Sequence, residues 1–150
     1  KLAFLDTTFG DYTPRTVQSA PLGGMQSAAC YLTLALARAG ADVTLVNGTA
    51  MPGAVDGVMC RHHATMPVSL LAGMMSLSDG GLCEGARNLR QALDGHRKLI
   101  LWTQHAADQP GVANLADPAM AALWDGFVFV SRWQREEFIH RFGLRRDRCH

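Results

Sequence analysis

No run of apolar residues in this chain approaches the roughly 20 that a membrane-spanning helix needs, and its first residues lack the pattern of a secretory leader. Charge of either sign is scarce in excess. Fourteen Lys and Arg stand against thirteen Asp and Glu, a formal net charge of +1, which argues against a dedicated nucleic-acid binder. The four cysteines, Cys30, Cys60, Cys83 and Cys149, are scattered with no C-x-x-C pair, so no disulfide framework is expected. Cys30 and Cys60 lie in apolar periodic segments, where a thiol behaves as a small core group. Two nucleotide motifs are missing as well. No Gly-Lys-Ser or Gly-Lys-Thr occurs, which removes a Walker-type loop. No tight G-x-G-x-x-G turn follows the first strand, and the second ends in Asn47 rather than an acidic residue, which disfavours a nicotinamide or flavin cofactor.

What is present is an ordinary globular composition. The chain has 150 residues, 48% apolar and 18% charged, the size of one domain able to bury a core. A cytoplasmic setting is the expectation, extending to the inner face of a membrane.

Leu2–Asp6 reads as a buried strand. A long polar loop then leads through Pro21-Leu22-Gly23-Gly24 into a helix over Met25–Ala39, capped by Gly40. Ala28, Leu32, Ala35, Leu36 and Ala39 recur at spacings of three and four, and the helix is apolar on most faces, so deep packing is expected. Asp42–Asn47 is a second strand, which implies a parallel pair with the first. Residues 48–80 are the least readable, with Val58–His62 a candidate third strand and Met66 to Met75 left open. Leu82, Ala86, Leu89 and Leu93 mark a helix that Gly95 ends. Lys98–Thr103 is a strong buried strand. A polar loop through Pro110 and Gly111, a short helix at Pro118–Trp124, a strand at Phe127–Ser131 and a charged helix at Trp133–Phe142 ending at Gly143 complete the pattern. Strands alternating with helices predict an α/β fold: a Rossmann-like, open, mostly parallel sheet with helices on both faces.

In such sheets ligands bind beyond the carboxyl ends of the strands. Three features are expected to leave the sheet there: Gly23-Gly24, Gln104-His105 and Ser131-Arg132. Paired glycines allow close approach of backbone to ligand, and the helix that follows offers unpaired N–H groups to a phosphate. His105, between Gln104 and Asp108, can donate a hydrogen bond or move a proton near neutral pH. His62 and His63 follow Cys60, but neighbours on a strand point to opposite faces and a closed zinc site needs four ligands, so no metal is expected. Arg145, Arg146 and Arg148 read as a solvated tail, Glu137 and Arg141 as an i, i+4 pair, and Trp133 and Phe138 as core anchors.

Two strings, "PLGGMQSAACYLTLALARAGADVTLVNGT" and "DGFVFVSRWQREEFIHRFGL", resemble the N-terminal half of a retaining glycosyltransferase of the GT-B fold, family 4. The resemblance runs over nearly the whole chain and is weakest between residues 48 and 97. It implies transfer of a sugar from a nucleotide-sugar donor to an acceptor (a glycan, lipid or small molecule) with retention at the anomeric carbon. It implies no metal and no cofactor beyond that donor. The N-terminal domain of this family mostly holds the acceptor. Its glycine loop reaches the donor diphosphate, and a histidine beyond the fourth strand lies near the transferred sugar. Carried over, these are Gly23, Gly24 and His105, with Gln104, Asp108, Ser131 and Arg132 as acceptor or sugar contacts. Many relatives carry a glutamate two places after the glycines where this chain has Gln26. The chain also stops at Cys149-His150, without the family's nucleotide-binding second domain, so the resemblance implies a fragment that is inactive alone. The rival expectation is a stand-alone flavodoxin-like or receiver-like binding module, although a receiver needs an acidic cluster and Asp6 alone is not one.

Overall fold

The computed structural model describes residues 1–6, 8–65, 74–77, 82–93 and 98–150, and the chain divides into two compact units, Lys1–Met74 and Met75–His150. The fold is mixed α/β with mostly parallel strands.

In the first unit β1 (Leu2–Asp6), β2 (Val43–Asn47), β4 (Val58–His62) and β3 (Gly53–Val55) lie in the order β3-β4-β2-β1. β1 and β2 pair in parallel from Leu2 opposite Val43 to Leu5 opposite Val46, and β2 pairs in parallel with β4. Their interior side chains, Phe4, Val43, Leu45 and Val58, are fully buried. β3 is an addition to the expected pattern. It pairs antiparallel with β4 through Asp56-Gly57, whose φ angles of 50° and 85° form the two-residue turn that matches strand twist. The Asp-Gly step between apolar residues is the signal for it in the sequence. Asp56 is further held by Arg15 at 2.6 Å.

The helix α1 (Gly24–Arg38) agrees with expectation to within one residue at each end. Gly40 at φ 86° follows it, and Gly40 N–H to Ala37 O (2.9 Å) with Ala41 N–H to Leu36 O (3.0 Å) satisfies carbonyls that the helix end leaves open. Its packing differs from expectation. The buried face is Ala29, Cys30, Thr33 and Leu34, whereas Ala35 and Ala39 of the expected stripe are exposed and Tyr31 is 62% exposed. A helix built almost wholly from small and apolar residues contains several stripes of equal quality, and periodicity does not choose among them.

In the second unit β5 (Met74–Leu77) begins at the unit boundary, and the order is β5-β6-β7, with β6 at Leu99–Thr103 and β7 at Gly126–Phe129. β6 and β7 run parallel from Ile100 opposite Gly126 to Thr103 opposite Phe129. The helix α2 (Leu82–Ala92) sends Arg90 to the Leu123 carbonyl and to Asp125 at 2.7 Å. Asp125 also accepts the Leu99 N–H at 2.8 Å. Burial would raise the Asp125 pKa, but this amide, Arg90 and Lys98 together hold it below the usual carboxylate value. The expected loop near Pro110 is instead a 3-10 helix, Pro110–Ala116, which buries Val112 and Leu115. The four-residue helix α3 (Pro118–Ala121) starts at Asp117, whose carboxylate accepts the Ala119 N–H at 2.8 Å, with Pro118 in the first turn.

The helix α4 (Arg132–Phe142) ends at Gly143, left-handed at φ 63°, as expected. Phe138 is fully buried, but Trp133 is 67% exposed and is not a core anchor. It sits one residue inside the helix start, turned away from the edge that buries Gln134 and Phe138. The carboxylate that forms ion pairs on this helix is Glu136, with Arg146 at 2.6 Å and Arg135 at 3.0 Å. Those guanidinium groups pull its pKa down to about 2. The arginine tail is ordered into a short 3-10 turn, Arg146–Arg148, and Cys149-His150 runs beside β7 through Phe129 N–H to His150 O at 3.0 Å. Residues 66–73, most of the segment left open above, and the helix-ending Gly95 lie outside the described residues. No helix among the described residues is long and apolar enough to cross a membrane.

Candidate functional site

In the first unit the carboxyl end of β1 is organised by Asp6. Its side chain is fully buried and accepts three hydrogen bonds: Thr8 N–H at 2.9 Å, Thr8 Oγ1–H at 2.8 Å and Tyr12 Oη–H at 2.8 Å. Burial and the neighbouring Asp6 carboxylate drive the Tyr12 phenol far above its ordinary pKa, so it stays a donor. A carboxylate engaged in this way holds the loop and is not exposed, as a phosphoacceptor must be. Because the Thr8 hydroxyl donates to Asp6, its oxygen can only accept from Gln26, whose Nε2 lies 3.1 Å away. An ionised glutamate at position 26 has no proton to give. The Gln26 amide thus ties the start of α1 to the β1 loop.

Gly23 and Gly24 are exposed, and Gly23 occupies the N-cap of α1 with no side chain capping the first turn. No acidic residue lies in that turn. The Gln26 side-chain oxygen stands beside this turn, but no carboxylate there repels an anion. A Cβ on Gly23 would collide with Oε1 of Gln26, so the glycine keeps this surface low.

Asn47, which ends β2, is fully buried, and its sequence context marks it only as the wrong residue for a dinucleotide site. Its Nδ2–H donates to Tyr12 O at 2.8 Å, and its Oδ1 accepts the Thr49 N–H at 3.0 Å. It locks the loop after β1 to the loop after β2. Gly48 follows, with its N–H on Gly10 O at 3.0 Å. His62 and His63 do not point to opposite faces. His63 lies past the end of β4 in a 3-10 turn, and the two rings stack with centroids 4.5 Å apart. No group of three or more metal-ligating side chains occurs among the described residues. Cys30 and Cys60 are buried thiols, each raised to about 11 by that burial, and are unreactive on that account.

In the second unit the carboxyl ends of β6 and β7 are joined by one side chain, Gln134. It is 4% exposed; its Nε2 donates to His105 O at 2.7 Å and to Thr103 O at 3.2 Å, while its Oε1 accepts the Val130 N–H at 2.8 Å. His105 is half-buried, its N–H donates to Thr103 Oγ1 at 3.1 Å, and its Nδ1 lies 3.3 Å from the same hydroxyl. The expected Gln104-His105 and Ser131-Arg132 features are therefore brought together, by a residue that sequence reasoning passes over. Gln104 is half-buried and Asp108 exposed. The Ser131 Oγ accepts the Gln134 N–H at 3.1 Å as the N-cap of α4. Ser131 and Arg132 line a cavity of about 290 Å³ with Phe129, Val130, Arg135 and His150.

Each unit thus carries, at the carboxyl ends of its parallel strands, a loop fixed by buried hydrogen bonds and bearing exposed polar or glycine positions. No family model matches the chain, and neither a curated protein nor a solved structure matches it.

Proposed function

We propose that this chain is the acceptor-side half of a retaining glycosyltransferase that uses a nucleotide-sugar donor. The observation that carries the reading is the exposed Gly23-Gly24 pair opening a 15-residue helix whose first turn has no side-chain cap and no acid. When the sugar departs, negative charge grows on the diphosphate oxygens, and aligned backbone N–H groups at a helix start stabilise it without reorganising. Gly23 and Gly24 are the donor-phosphate contacts in this reading. His105 is the group near the transferred sugar, donating to a sugar hydroxyl and so orienting the oxocarbenium-like centre. Gln104, Asp108, Ser131 and Arg132 supply sugar or acceptor contacts. No carboxylate is assigned as a nucleophile, and neither metal nor further cofactor is required.

The nucleotide itself would be held by a second domain of the kind this family uses. Calorimetry on the 150-residue chain with nucleoside diphosphates and their sugar conjugates is therefore expected to show weak binding. A dissociation constant near micromolar or below, about −8 kcal/mol, would mean that the chain is a self-sufficient binding module and would refute the transferase reading.

A further inference from the structure

Phe9 is held with φ at 53°, a left-handed conformation that is strained for a bulky residue. Gly10 stands next to it and would adopt this conformation freely. The strain is not offset by burial, because the Phe9 side chain is 44% exposed. Instead its ring lies on His63, with centroids 3.9 Å apart and planes 24° from parallel, and His63 lies in turn on His62. Three rings form one ladder beyond the carboxyl ends of β1 and β4, where α/β sheets place ligands.

The hydrogen bonds set the tautomers. His63 Nδ1 is 3.2 Å from the Asn47 carbonyl, which can only accept, so Nδ1 carries a proton and, in the neutral ring, Nε2 presents the lone pair. His62 Nδ1 accepts the Ala64 N–H at 3.2 Å, so its proton sits on Nε2. The ladder thus offers one acceptor and one donor, and neither Nε2 has a partner among the described residues. Asp11 Oδ1 accepts the Ala50 N–H at 2.9 Å, Arg15 is paired with Asp56, and the exposed Arg61 directly precedes His62 in the chain. A neutral ligand fits this chemistry better than a phosphate.

We propose that the Phe9–His63–His62 ladder is a carbohydrate-binding platform for a neutral sugar ring. The apolar C–H face of a pyranose covers the outer face of the Phe9 ring, the face that His63 does not occupy. Taken with the transferase reading, on which this last step rests, the sugar belongs to the acceptor. The binding itself does not depend on that reading, because it needs neither donor nor transfer.

The test is aromatic ¹H–¹³C NMR of the full chain titrated with methyl glycosides of glucose, galactose, mannose and N-acetylglucosamine, with adenosine as a planar control. Saturable shifts of the Phe9, His62 and His63 rings are expected with at least one glycoside. The decisive variant is Phe9→Asn, since asparagine tolerates the left-handed region. It should melt no lower than the parent and bind the glycoside at least roughly tenfold more weakly. A ladder that serves only to hold its loop would give the opposite pattern: a lower melting temperature and no ring shifts with any sugar. Shifts with adenosine alone, or glycoside binding unchanged in Phe9→Asn, would equally overturn the proposal. If glycosides bind while nucleotide-sugar turnover fails in the two-domain protein, the platform stands and the transferase reading falls.

Discussion

Gly48→Ala should destabilise the chain by about 3 kcal/mol or more, the largest loss expected from adding a single methyl group here. The reason is space rather than backbone freedom. A Cβ at position 48 would overlap the Phe9 carbonyl oxygen, lie 2.8 Å from the Phe9 carbonyl carbon and 3.3 Å from Gly10 O. These are main-chain atoms, and they are held on the other side by the Asp6–Thr8–Tyr12 bonds and by Asn47 on Tyr12 O. The loop cannot retreat without breaking those contacts or the Gly48 N–H bond to Gly10 O. Gly40→Ala is the control. There φ is 86° and nothing lies within 4 Å of the added Cβ, so only the conformational penalty of about 1 kcal/mol applies. Urea midpoints of the two variants should separate clearly. If Gly48→Ala unfolds at the same urea concentration as Gly40→Ala, the loop after β1 is not seated on β2 as described.

Much of the fold is legible because strand runs such as Leu99–Thr103 are continuous apolar segments bounded by polar ones, and because Gly40 and Gly143 stand where a helix must end. The departures have specific physical sources. α1 is apolar on most faces, so its buried face is encoded not in period but in identity: Cys30, Thr33 and Leu34 go inward. Thr33 can be buried there because its hydroxyl donates to Ala29 O at 2.7 Å within the same helix. Trp133 reads as core because large aromatics usually are, whereas the buried polar residue beside it, Gln134, carries the packing of that turn.

The same inversion applies to the site. Glycines and a histidine at strand ends are readable because their chemistry is local. Asp6, Asn47 and Gln134 are not, because each acts through partners that only the folded chain supplies. Asn47 reaches Tyr12, 35 positions away, and Gln134 reaches Thr103, 31 positions away. A buried amide has no periodicity and no motif. Its sequence signature is only a polar residue where an apolar one would be cheaper, and one chain by itself does not mark that position as special.

His105→Ala in the two-domain enzyme of the proposed reading should lower turnover on the order of 10²-fold while leaving the melt nearly unchanged. The loop that carries His105 is fixed through main-chain atoms, His105 N–H on Thr103 Oγ1 and His105 O under Gln134 Nε2, and these survive truncation of the ring. What is lost is the half-buried imidazole with its Nδ1 contact to Thr103 Oγ1 at 3.3 Å. Gln134→Leu makes the complementary test. It keeps the bulk but strands the Val130 N–H and the carbonyls of Thr103 and His105, which costs about 2–3 kcal/mol. Below its melting temperature it should also lower turnover, because the His105 carbonyl is no longer held and the ring wanders from its position. Since Gln134 acts only through that loop, its effect on rate should largely vanish when it is combined with His105→Ala, whereas its effect on stability should persist. A His105→Ala enzyme that melts normally and turns over at nearly the parent rate would remove His105 from the site. Rate losses that simply multiply in the double variant would mean that Gln134 does not work by positioning His105.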